Sequence, residues 1–142
     1  GLGCAGGLAH WENEPNGALA LILLFDQFPR NMFRGTGEAF VSDAMARDVA
    51  KRAIAQRRDL EVPAFIRLFF YMPVMHSEHL PDQNSCVQLV EERLGEDHFQ
   101  YPYALAHKAA VERFGRFPAR NAALGRASTE REQDFLKHNP RG

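Results

Sequence analysis

The chain has 142 residues, with 17 basic and 18 acidic side chains and a formal net charge of −1. That balance excludes an overall basic field for nucleic acid and an acidic tail. With 45% hydrophobic residues, the chain has enough apolar material for one core, and a domain of this size buries about 68–70% of its unfolded surface.

Ala and Leu supply 19 and 14 residues, whereas the β-branched Val, Ile and Thr supply only 7, 3 and 2. Such a chain favours helix and has little to build a sheet from. Cys4 and Cys86 lie far apart with no CxxC spacing, so they read as reduced thiols of a cytoplasmic protein. The longest apolar run, Ala18 to Phe25, is far shorter than the roughly twenty residues of a membrane span. Residues 1–14 are glycine-rich at the start and lack the basic flank of a signal peptide, so they read as a flexible or truncated segment. Residues 15–138 read as a single helical domain.

Pro15 suits a first helical turn, and the following apolar run carries that helix to Phe28. Pro29 ends it by pushing the preceding residue out of the helical region. A second helix is expected from about Glu38 to Arg58. Pro63 opens a third, which Pro73 should kink or break just before Met75. Pro81 begins a fourth, closed by Gly95, and Pro102 a fifth, stopped by Gly115. A short segment from Pro118 to Leu124 follows. Thr129 and Glu132 then form a capping box for a last helix through Phe135 and Leu136. The total is six or seven short helices, with Phe25, Phe28, Phe69, Phe70 and Phe114 expected together in one core.

Three stretches carry more polar chemistry than a plain bundle needs. In the first, Asp26 precedes Arg30, Asn31 and Arg34, which alternate with Phe28 and Phe33. Aromatics pinned to the core would hold the guanidinium forks still, as recognition of a carboxylate or phosphate requires. The competing reading pairs Arg30 and Arg34 internally with Asp26, Asp43 or Glu78, and it is slightly favoured. The second stretch, Phe114 to Arg126, contains Arg116, Arg120, Asn121 and Arg126. It repeats the order Phe-Pro…Arg-Asn of residues 28–31 with one residue inserted. The third stretch, Tyr71 to His79, places His76 beside Glu78, an arrangement open to acid–base chemistry. A hydrogen-bonded histidine at a kink is the more ordinary explanation. The histidine spacing is not that of a zinc protease, and no metal or cofactor is expected. His107 gains importance only if the fold brings it near His76 or Arg30.

These three stretches resemble a bacterial domain-of-unknown-function family, number 924. The resemblance rests on Asp26 to Asn31, Tyr71 to Glu78 and Phe114 to Arg126, and spans about Ala18 to Leu136. It implies a tetratricopeptide-like helical array. Members usually carry further N-terminal residues, so the resemblance also implies an incomplete start. It brings no activity with it.

Three functions compete. A binding module would grip a small anionic ligand or peptide carboxylate through Arg30, Asn31, Arg34, His76, Arg116, Arg120, Asn121 and Arg126. An enzyme would use His76, Glu78 and Asp26 as acid–base groups, with the arginines as a clamp. A structural network would only fix helix register. The binding module is preferred, with no nucleic-acid or membrane partner.

Overall fold

The boundaries of the helices follow from local chemistry. The computed structural model describes residues 15–27, 40 and 42–140, so Phe28, Arg30, Asn31, Arg34 and the first fourteen residues lie outside it. Helix α1, Pro15–Ile22, passes into a π-helical turn at Leu23–Gln27. Helix α2 is Asp43–Ala55, followed by a 3-10 turn at Arg58–Glu61. Helices α3 (Ala64–Met75), α4 (Leu80–Arg93) and α5 (Tyr101–Phe114) come next. A 3-10 turn at Pro118–Arg120 leads to α6, Glu130–His138. The fold is all-α, with no strand among the described residues.

Prolines occupy the first turns of α4 and α5, where a missing amide hydrogen costs nothing. Gly115 ends α5 in the left-handed conformation (φ 73°), and its amide donates to the Val111 carbonyl at 2.8 Å. The expected capping box is formed: Thr129 accepts from the Glu132 amide, and the Glu132 carboxylate accepts from the Thr129 amide. The helix holding Pro73 ends within a residue of the expected break. Pro73 sits inside α3, which runs two residues further to Met75, so its missing donor falls in the last turn.

From α1 to α5, each helix packs on the next in the chain, and α1 also reaches α3. The core they share takes Ile22 and Phe25 from the first segment, Ala46, Ala50 and Ala53 from α2, Phe70 and Val74 from α3, and Val90 from α4. The alanines leave room for close approach of α2. The expected five-Phe core needs correction. Phe25 and Phe70 are in it, but Phe69 is only half-buried, because Phe70, Tyr71 and Val74 take the inward face of α3. Phe114 is half-buried at the very end of α5 and meets α6 instead, its ring edge-on to Phe135 at 5.1 Å.

One polar cluster lies inside the helical stack. Asp59 is wholly buried and takes hydrogen bonds from Tyr71 and, on both oxygens at 2.7 Å, from Arg93. Arg67 bridges the same region through the carbonyls of Asp59, Val62 and Arg93.

Candidate functional site

Where α3 ends, the backbone turns through His76 to His79 and enters α4. That connection is held from several sides. Gln83 donates to the carbonyls of Met75 and Ser77, both at 2.6 Å. Ser77 donates to Asp82 at 2.7 Å, and Asp82 in turn meets Lys51 of α2 at 2.6 Å. The segment bearing His76 and Glu78 is thus fixed by α2 and α4.

His76 pairs with Asp26, fifty residues away in the chain. Its Nδ1 lies 2.8 Å from Oδ1 of Asp26, whose side chain is 0% exposed in the π-helical turn, while the imidazole is 13% exposed. An ionised carboxylate only accepts, so against it Nδ1 is the donor in this contact. His76 is thus a hydrogen-bonded histidine at the end of α3, the more ordinary of the two readings, and Glu78, weighed as its acid–base partner, pairs elsewhere. Two residues apart at the end of a helix, the two side chains leave in different directions. Glu78 instead accepts both arms of Arg126, at 2.9 and 3.0 Å, and the Phe117 amide at 2.6 Å. Burial alone would push the Glu78 carboxyl up; the Arg126 and Phe117 hydrogen bonds outweigh it and hold the group below its ordinary range.

The second arginine-rich stretch wraps against this connection. Arg126 also donates to the Asn121 side chain at 3.0 Å, and Asn121 donates to Ser128 at 3.1 Å. Arg116 forks onto Glu132 of α6 at 2.8 and 2.9 Å. Arg120 donates to the His76 carbonyl at 2.7 Å and lies 3.7 Å from Asp43. Its guanidinium stacks over Phe40 at 4.5 Å and Phe117 at 4.8 Å. Arg116 and Arg126 are therefore matched by carboxylates of the chain itself, and Arg120 braces the backbone of His76. Arg30, Asn31 and Arg34 lie outside the described residues.

His107 of α5 does come near His76. The two rings stand 6.3 Å apart, inclined at 49°, and His107 also packs on the Phe117 ring edge at 5.3 Å. Its Nδ1 lies 2.7 Å from the Tyr103 carbonyl. The Asp26–His76 pairing had no short-range sequence signal, since only the fold joins the two stretches. The Ser77–Asp82–Lys51 chain likewise escaped sequence reasoning. Among the described residues, no group of three or more His, Cys, Asp or Glu side chains is arranged to hold a metal ion. No helix among them is long and apolar enough to cross a membrane.

The model of a family described as "bacterial protein of unknown function (DUF924)" matches residues 3–140. The chain belongs to that family. It is also similar to a solved structure, a protein of unknown function, ATU0120, from Agrobacterium tumefaciens. The two are 40% identical, with a TM-score of 0.87, over 93% of this chain and 73% of the other. No curated protein matches the chain. The two proteins share the helical fold. In this chain Asp26, His76 and Arg120, one from each stretch, form a single connected cluster.

Proposed function

We propose that this cluster is a small-molecule site in which His76, oriented by Asp26, is the acid–base centre. The observation that carries the reading is the contact of a wholly buried carboxylate with a partly exposed imidazole. That contact selects one tautomer and steadies the ring when it is protonated. Arg120 supports the reading by fixing the His76 carbonyl. A small anionic substrate, a carboxylate or phosphate, suits the site because Arg30, Asn31 and Arg34 follow Asp26 closely in the chain. Arg116 and Arg126 have a scaffolding part in this reading, since each is already matched by a glutamate.

A purely structural network is the competing reading, and those same two matched ion pairs favour it. The test is a thermal-shift series with inorganic phosphate, succinate and citrate, run beside hydrolysis of p-nitrophenyl acetate and p-nitrophenyl phosphate. The native chain, His76→Gln, Asp26→Asn and Arg30→Ala are compared. The proposal expects one of these anions to raise the Tm of the native chain with concentration, and to lose that effect in Arg30→Ala. Turnover, where seen, should fall at least about tenfold in His76→Gln and Asp26→Asn while both stay folded. Neither stabilisation nor turnover, with both variants melting well below the native chain, would establish the structural network instead.

A further inference from the structure

Three successive carbonyls where α3 ends are each gripped by a side chain from elsewhere in the fold. Gln83 of α4 donates through Nε2 to the Met75 carbonyl and to the Ser77 carbonyl, both at 2.6 Å. Arg120 takes the His76 carbonyl between them at 2.7 Å. Gln83 is wholly buried, and Met75 and Ser77 are buried on either side of the partly exposed His76. Turned over, the carboxamide would set its oxygen against two carbonyl oxygens, so these bonds fix which way it lies. Among the described residues nothing donates to its Oε1. Its donors, rather than its acceptor, determine its place.

A helix end needs partners for its last carbonyls, and a bond to Met75 alone would meet that need. The second bond, to Ser77, reaches past His76. The backbone has two soft torsions per residue, so holding the peptide planes on both sides of His76 fixes the direction in which its side chain leaves. The plane before it carries the Met75 carbonyl, the plane after it the His76 carbonyl, and the next the Ser77 carbonyl. On the amide side, His76 donates to Met72 at 2.9 Å and Ser77 to Val74 at 3.2 Å. That last turn is short of one rung, because Pro73 has no amide hydrogen. Gln83 and Arg120 hold from the carbonyl side a turn that the proline has weakened.

We infer that Gln83 is a positioning residue for His76: by clamping the carbonyls of Met75 and Ser77, it holds the imidazole where Nδ1 meets Asp26. The inference rests on the reading of His76 as the acid–base centre and extends it to a residue of α4. Asp26 is wholly buried in a separate element, the π-helical turn, so the imidazole has to be brought to it. Their contact is 2.8 Å, and a backbone shift of well under about 1 Å at His76 would stretch it beyond hydrogen-bonding range. Gln83 touches neither ring nor carboxylate; it acts through the backbone that carries the ring.

The experiment is proton NMR of the native protein, Gln83→Met, Val90→Ala and His76→Gln, without any substrate. His76→Gln identifies the Nδ1 proton signal of His76 by its loss. In the native chain that proton, accepted by a buried carboxylate, should resonate downfield and exchange slowly with solvent. Gln83→Met keeps the length of the side chain and deletes both bonds. Val90→Ala, at another buried position of α4, lowers stability without touching the connection. With each variant held equally far below its own Tm, the Nδ1 proton should move upfield in Gln83→Met and exchange at least about tenfold faster than in Val90→Ala. A merely structural Gln83 would lower the Tm and leave that signal where it is, and this result overturns the inference. So does a native chain without a slowly exchanging Nδ1 proton. Should Gln83→Met fail to fold, the native protein decides: both Nε2 hydrogens of Gln83 should exchange as slowly as core amides, and rapid exchange overturns the inference. No ligand enters the readout, so an unmoved signal leaves the anion and turnover results standing. The expected pattern with neither ligand nor turnover would sink the proposed function alone.

Discussion

Glu132 is a residue whose charge the fold exploits. The Arg116 fork, acting against burial, brings its carboxyl from 4.5 down to about 2. A carboxyl lowered in the folded state stabilises most above its unfolded value and loses that contribution as pH falls toward the folded one. Stability drawn from this pair should therefore be complete above pH 4.5, decline below it, and be gone under about 2. Urea unfolding at about pH 6 and about pH 3 should show a steeper loss for the native chain than for Glu132→Gln. Equal slopes would mean that the carboxylate is not held as the geometry shows. The Glu78–Arg126 pair is three-quarters buried on both sides, so Arg126→Ala should cost about 1–3 kcal/mol by leaving a hydrogen-bonded carboxylate short of its donors. The same unfolding measurement reads it. Sequence alone made Arg116 and Arg126 candidates for gripping an outside anion, because charge and spacing do not say which carboxylate the fold will bring. Asp26 was legible as a polar residue closing an apolar run, but its histidine partner was not, since fifty residues separate them.

Among the elements, α6 depends most on local chemistry. Its main anchors are the Thr129–Glu132 capping box and the Arg116 fork. Thr129→Ala removes the side-chain acceptor of the Glu132 amide and should cost about 1 kcal/mol. Hydrogen exchange should then accelerate in α6 while α2 to α4 stay protected. Uniform acceleration would show that α6 belongs to the same cooperative unit as the core. The capping box was readable because its two bonds join residues three apart, as were the prolines opening α4 and α5 and the glycine closing α5. The π-helical turn at Leu23–Gln27 was not. An apolar run reads the same whether its hydrogen bonds skip four residues or five, and the choice depends on burying Phe25 and Asp26.

Among the described helices, apolar packing and the buried Asp59 cluster both hold the elements in register. The contrast between Phe70 and Phe114 measures the first. Phe70→Ala empties a wholly buried site and should cost about 3–5 kcal/mol, whereas Phe114→Ala, at the half-buried α5–α6 contact, should cost clearly less. Sequence periodicity could not make that distinction, because it shows which residues are apolar but not where a helix ends against its neighbours. The Asp59 cluster measures the second. Asp59 lies in the turn before α3, Tyr71 on α3 and Arg93 at the end of α4, so one carboxylate joins three segments. Burial, reinforced by the bond to Asp59, pushes the Tyr71 phenol far above its ordinary value, so it stays a neutral donor throughout the physiological range. Arg93 supplies positive charge directly to both oxygens of Asp59. Removing it with Arg93→Ala strands a buried carboxylate and should cost about 3–5 kcal/mol. Tyr71→Phe deletes one donor but leaves the ion pair, so about 1–3 kcal/mol is expected. Measured by urea unfolding with an unchanged m-value, the two losses should keep that order. A larger loss in Tyr71→Phe would mean that the phenol, rather than the guanidinium, is what makes the buried carboxylate tolerable.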